Sequence, residues 1–300
     1  MKTAIHHDAL HALLAGSYPM HISAAALGGS VSTTIGILNK YQTVVGSNTH
    51  FHNWFSSAQQ HRKLRIHLPS EAPPSVQSAD LNSEEYATAS YFAGGSIVAK
   101  SAITLPLKTA LQGIGTELLY IENVNFDTSN GDNPFLTINL TPNSGLDFNI
   151  LERFIIPENE ITIYDKFINS NSLELLNYIA SKLAAGATLN IFHSTKTGGN
   201  LVSSSAIHTS LSTANPTINI SCKTCPPTFT RIYHDRFIFF GKRFQIRFTV
   251  GLDCFGPLDP TTGNRVNRES DLVFRDITTA GTLSIVATDG TNHPVKFYGS

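Results

Sequence analysis

Between residues 159 and 252 the apolar positions change period several times, and each change marks an element. "NEITIYDKFI" (159–168) alternates apolar and polar residues as a strand does, whereas "NSLELLNYIASKLAAGA" (171–187) repeats its apolar residues at helical spacing. A serine at the N-cap position and a closing glycine bound that helix. "TLNIFHS" (188–194) predicts a strand, "LVSSSAIHTSLS" (201–212) a short helix, "PTINISC" (216–222) a further strand and "KTCPP" (223–227) a turn. "RFIFF" (236–240) and "FQIRFTVGL" (244–252) predict two more strands, joined by Gly241 and Lys242 as a tight hairpin. Strand, helix, strand, helix, strand and hairpin is the order of a three-layer α/β domain.

The first half of the chain has a weaker rhythm. Residues 69–85, "PSEAPPSVQSADLNSEE", collect Pro, Ser and acid without periodicity and read as a surface loop or linker. A second loop-like zone, 127–149, holds the strand-like "FLTINL" between two turn clusters. The expected division is an N-terminal domain over 1–149 and a C-terminal domain over 150–300. "IVAKSAITLPLKTALQ" (97–112) and "ELLYIENVNF" (117–126) make the N-terminal domain a mixture of helix and strand, with no particular fold indicated.

Composition narrows the function classes. The 300 residues are 41% apolar and 14% charged, a globular balance far from that of a disordered chain. Lys and Arg number 21 against 22 Asp and Glu, so bulk charge gives no affinity for nucleic acid or membranes, and any anion site is local. The N-terminus lacks the basic flank and continuous apolar core of a signal peptide, and no run reaches the roughly eighteen apolar residues that span a bilayer. Three cysteines, an odd number, argue against a disulfide framework. A soluble cytoplasmic protein without a cofactor is the expectation.

The stretch that carries candidate chemistry is "YHDRFIFFGKRFQIRFTVGLDCFG" (233–256). A charge inside a buried strand costs several kcal/mol unless it is paired or stands at a strand end facing a ligand. His234 and Arg236, on alternate residues, leave the same side of a strand, and Asp235 leaves the other. An imidazole beside a guanidinium suits a tetrahedral phosphate, the Arg supplying a bidentate fork and the His a titratable proton. Arg231, Lys242, Arg243 and Arg247 are near in sequence. Lys166 and Lys196 follow earlier strands, Arg265 and Arg268 lie in "GNRVNRESD", and Asp253 ends the Gly-Leu-Asp. The alternative is a solvated hairpin with ordinary surface charges.

This run resembles the phospholipase D superfamily, whose signature is His-x-Lys followed by four residues and Asp on the first strand of such a hairpin. "IYHDRFI", the glycine before "FQIRFTVGLD", "GLDCFG" and "NRESDLVF" are more closely similar to the phospholipase D-like domain at the C-terminus of MIT-domain proteins, over about residues 150–277. The resemblance implies a phospholipase D-like fold for the C-terminal domain and a nucleophilic role for the histidine in active members. Here the Lys position is Arg236 and the Asp position is Gly241; no second motif fits, neither "HRK" (61–63) nor "HTS" (208–210). Without a general acid or an orienter for the imidazole, turnover is not favoured. Three readings follow. The first is a degenerate module that binds phosphate on acidic lipid headgroups or nucleic acid through His234, Arg236, Arg231, Lys242, Arg247, Asp253 and Arg268. The second is a phosphodiesterase, nuclease or phospholipase, formed by a homodimer around a catalytic His234. The third is an assembly scaffold.

Other clusters carry less. His7 and His11 stand at i and i+4 with Asp8 between, but lack a third ligand and a positioned Glu, so a solvated N-terminal helix is expected and no metal. His50, His52, His61 and His67 surround Trp54; an amphipathic segment that packs Trp54 inward is preferred to a nucleic-acid surface. Cys222 and Cys225 form a lone Cys-x-x-Cys, with Cys254 much later, and are expected to be buried or loop thiols. "GGS" (28–30), "AGGS" (93–96) and "TGG" (197–199) are glycine turns without the lysine of a phosphate loop.

Overall fold

The computed structural model describes residues 2–17, 27–45, 49–78, 80–122, 135–142, 144–196 and 199–298. It is α/β throughout and forms two compact units, Met1–Pro134 and Phe135–Ser300. The division therefore precedes the expected 149/150. The reason is the strand "FLTINL", β6 (Phe135–Leu140), which pairs along its length with β12 (Ser270–Asp276) and so belongs to the second unit. The turn cluster before it, 127–134, lies outside the described residues.

The first unit is a parallel sheet. β1 (Ala4–Ile5) pairs with β4 (Ser96–Ala99), and β4 with β5 (Glu117–Tyr120). β2 (Val31–Thr34) pairs with β3 (Leu64–His67), and the parallel bridge Thr3–Val31 joins the two sets, giving the order β3-β2-β1-β4-β5. The chain walks from β1 out to β3 and then returns to the other side of β1. This reversal makes the sheet doubly wound, with a switch point between β1 and β4.

Among the described residues its longer helices are His7–Leu14, Ile35–Val45, Thr49–Gln60, Leu81–Phe92 and Leu105–Gly113. The N-terminal helix is not the solvated one expected: its own Ala9, Leu10, Ala12 and Leu13 are buried. Residues 81–85 of the expected loop are helix, because Asp80 caps Leu81–Phe92 by accepting from the Ser83 amide at 2.9 Å. Trp54 does pack inward, its ring edge-on to Tyr41 and its Nε1 donating to Leu27 O.

The second unit holds a seven-stranded mixed sheet in the order β6-β12-β11-β10-β7-β8-β9. β7 (Glu160–Tyr164), β8 (Thr188–Ser194) and β9 (Asn219–Cys225) run parallel; β10 (Arg236–Phe240) and β11 (Phe244–Phe248) form the predicted hairpin. Its loop is Gly241–Arg243, with Gly241 at φ 52°, a left-handed conformation that glycine adopts without strain. β9 runs on through Lys223–Cys225, where a turn was expected, because those residues pair with the end of β8. A short helix, Pro227–Ile232, follows.

The crossovers β7 to β8 and β8 to β9 step in one direction, so right-handed connections put their helices, Ser172–Lys182 and Ser204–Ala214, on one face. Ser172 is not the cap expected for the first of these; its amide donates to Asn169 Oδ1 at 3.0 Å, and the helix ends at Lys182, before Gly186. Phe154, from the turn Glu152–Ile155, packs on Phe240, Phe244 and Phe274 on that face. The opposite face carries Tyr164, Phe192, Phe237 and Phe239, covered by the antiparallel ribbon β13 (Gly281–Val286) and β14 (Asn292–Phe297). The outer layers are thus helices on one side and a β-ribbon on the other.

Candidate functional site

The site grows from the end of β7. Phe237 stands opposite Tyr164 in the antiparallel register, and one step further Arg236 meets Asp165 on the helical face. Asp165 is wholly buried. It accepts from the Phe167 amide at 2.9 Å and the Leu252 amide at 3.1 Å, and its Oδ1 lies 3.5 Å from Arg236 Nε. Burial pushes its carboxyl above the usual range, opposed by those two amides and by the Arg236 charge. The side chain therefore fixes the turns after β7 and β11 and the guanidinium between them.

Beside this pair opens a cleft of about 320 Å³, lined by Phe167, Asn169, Arg236, Thr249, Val250, Gly251, Asp253 and Arg268. Arg268 Nη1 is 2.6 Å from Asp253 Oδ2, and Asn169 Nδ2 donates to the same oxygen at 3.0 Å. A Cβ at Gly251 would stand 2.3 Å from Asp253 Oδ1, so a larger residue there would make that carboxylate turn. Two ammonium groups flank the Phe167 ring, Lys166 at 5.2 Å and Lys196 at 5.7 Å from its centroid. Arg236, Asp253 and Arg268 are thus brought to one cleft, with Lys166 and Lys196 around Phe167.

The other expected ligands are elsewhere. His234 is exposed and does not line the cleft; the chain bends at Asp235 and β10 begins only at Arg236, so the alternation that would pair His234 with Arg236 does not extend back to it. What His234 offers Arg236 is its backbone carbonyl, 3.3 Å from Nη1. Arg247 pairs in register with Phe237, on the ribbon face, and its Nη1 is 3.5 Å from Asp235 Oδ2. Lys242 is exposed at the hairpin loop, beyond the far end of β10 from Arg236, separated by roughly 13 Å of strand at about 3.3 Å per residue. Arg231 is exposed in the helix before the motif and is not a lining residue.

Two further arginines are structural. Arg243 is 1% exposed and donates twice to the buried Glu158, at 2.9 and 2.7 Å. Arg265 lies 3.7 Å over the Phe148 ring and binds Asp147, Glu174 and the Gly256 carbonyl. The cysteine pair does not chelate: Cys222 and Cys225, three apart on β9, leave opposite faces, and burial pushes both thiols up to about 12. Gly94 and Gly95 form a turn at φ 89° and 79°, while two residues of "TGG", 197 and 198, lie outside the described residues.

Sequence reading missed Asp165, Phe167 and Asn169. A signal was present: an acid directly after "ITIY" stands at the carboxyl end of a parallel strand, where α/β sites gather. No known protein family and no curated protein matches the chain.

Proposed function

We propose that the second unit is a phosphate-recognition module organised as a degenerate phospholipase D-like domain, binding phosphate on acidic lipid headgroups or nucleic acid without turnover. The observation that carries this reading is Arg236, whose guanidinium lines the cleft while the buried Asp165 carboxylate lies 3.5 Å from its Nε. Nη1 spends one hydrogen on the His234 carbonyl, so Nη2 and the second Nη1 hydrogen remain for an anion, and the planar fork is what distinguishes Arg from Lys. Arg268 supplies a second positive group once a phosphate competes for it against Asp253, and Lys166 and Lys196 add unpinned charge around Phe167. The cleft lining contains no histidine, serine or cysteine, and its Asp253 is bound by Arg268 and Asn169, which supports binding over turnover.

The test measures binding to vesicles with and without anionic lipid, and to single-stranded DNA, alongside hydrolysis of bis(p-nitrophenyl) phosphate. Arg236→Ala is expected to weaken binding about tenfold or more, and Lys242→Ala to leave it unchanged. Hydrolysis that disappears in His234→Ala would replace this reading with the dimeric phosphodiesterase. Absence of both binding and hydrolysis would leave the assembly scaffold.

A further inference from the structure

The first unit holds a cluster that phosphate recognition does not use. His6 follows β1 and is 5% exposed, while His7 and Asp8 open the helix His7–Leu14. One donor atom from each of the three lies within 4.8 Å of the other two. Asp8 Oδ1 is 3.5 Å from His7 Nε2, and Asp8 Oδ2 is 3.8 Å from His6 Nδ1. Two atoms bonded at about 2.1 Å to one tetrahedral ion stand roughly 3.4 Å apart, so these separations are already close to those of a ligand set. His11, four residues after His7, is exposed and takes no part.

Two independent features direct the cluster at a ligand. His7 Nδ1 is bonded to the Tyr86 hydroxyl at 2.5 Å, which fixes the ring and leaves Nε2 turned towards Asp8. Metal-binding histidines are oriented in this way, by a partner on the nitrogen that the metal does not use. Tyr86 is itself wholly buried in the helix Leu81–Phe92, so the anchor is rigid. The cluster also stands at the carboxyl end of β1, the strand at which the doubly wound order reverses, where ligands of such sheets collect.

We propose that His6, His7 and Asp8 form a mononuclear site for a transition-metal dication of the Zn²⁺ or Co²⁺ class. Two imidazoles and one carboxylate select such ions over Mg²⁺ and Ca²⁺, which prefer oxygen alone. Three protein ligands, with Asp8 half-exposed, leave a coordination position open to solvent, the composition of a reactive site and not of a closed structural one. The amide of Asp8, which donates to His6 Nδ1 at the long distance of 3.3 Å, loses that bond when the metal takes the nitrogen. Lys40 opposes the ion: its ammonium lies 5.0 Å from the Tyr86 ring centroid and bonds Asn82 Oδ1, and its charge acts on both histidines. The positive end of the helix opposes it as well, and the Asp8 carboxylate offsets both.

The experiment titrates the full chain with Co²⁺, read by visible d–d absorption and by calorimetry, with Mg²⁺ as control. One equivalent is expected to bind. Asp8→Asn and His7→Gln, both outside the core, are each expected to weaken binding at least about tenfold, and Tyr86→Phe to weaken it about tenfold through the lost orienting bond. Lys40→Met is expected to tighten it several-fold by removing a like charge, an effect no merely structural cluster would show. Absence of a visible band at about 100 μM Co²⁺, or binding that Asp8→Asn and His7→Gln leave unchanged, would overturn the proposal.

Discussion

Arg236 Nε lies 3.5 Å from the Oδ1 of Asp165, a carboxylate with no exposed surface that also accepts two backbone amides. One buried acid therefore ties together the ends of β7 and β11 and the start of β10, the three segments that form the cleft. Replacing it by asparagine turns one acceptor into a donor facing a backbone N–H. Asp165→Asn is expected to destabilise the protein by about 2–4 kcal/mol, and to weaken anion binding because Arg236 loses its anchor. Urea unfolding reads the first and vesicle binding the second; an unchanged midpoint would show that the carboxylate is not holding the loops.

Asp253 competes with any anion for Arg268, the two being 2.6 Å apart. Asp253→Asn frees Arg268 and removes a negative charge from the cleft wall, so phosphate affinity is expected to rise about three- to tenfold. A fall in affinity would mean that Asp253 positions the arginine and does not restrain it.

The buried pair Glu158–Arg243 separates stability from binding, being closed to solvent and absent from the cleft lining. Glu158→Gln removes one charge from this buried ion pair and is expected to destabilise the protein by about 3 kcal/mol. Replacing both partners by apolar residues of similar volume is expected to recover most of that, as measured by denaturant midpoints.

Gly256 is fixed by close approach of the backbone. A Cβ there would lie 1.8 Å from the Val266 carbonyl oxygen, and a carbonyl cannot swing aside as a side chain does. Gly256→Ala is expected to cost about 3 kcal/mol in thermal unfolding, whereas Gly186→Ala meets no atom within 4 Å and pays only for its left-handed φ of 80°.

His193 gives a pH dependence with a definite sign. It is buried at the end of β8, bonded to Ser204 Oγ at 2.7 Å, and burial holds its imidazole below the ordinary value of 6.5. The unfolded chain takes up a proton that the folded one refuses. The contribution is therefore complete above about pH 6.5 and falls as pH drops below it. Melting temperatures at pH 7.5 and 5.5 are expected to differ less in His193→Gln than in the unsubstituted protein.

The helix Ser172–Lys182 was legible because it buries one periodic set of apolar residues, and the strands β7, β8, β10 and β11 because they are short, largely apolar runs bounded by polar or turn residues and buried on both faces. The sheet of the first unit was not: "AI" and "VSTT" are too short and too polar to show a period, and parallel pairing alone makes them strands. At the candidate site the motif drew attention to the right strand end, and Arg236, Asp253 and Arg268 do line one cleft.

Chain order and side-chain period, which are local properties, determined by themselves the α/β class and the hairpin. Tertiary structure alone decided which charges face solvent and which neutralise one another. Arg243 meets Glu158 from 85 positions away, Arg265 is fixed by Asp147 from 118 positions away, and Asp165 reaches Leu252 across 87. Desolvation and pairing depend on such distant neighbours, so identical arginines along one hairpin become a core ion pair, a surface bridge and a cleft wall.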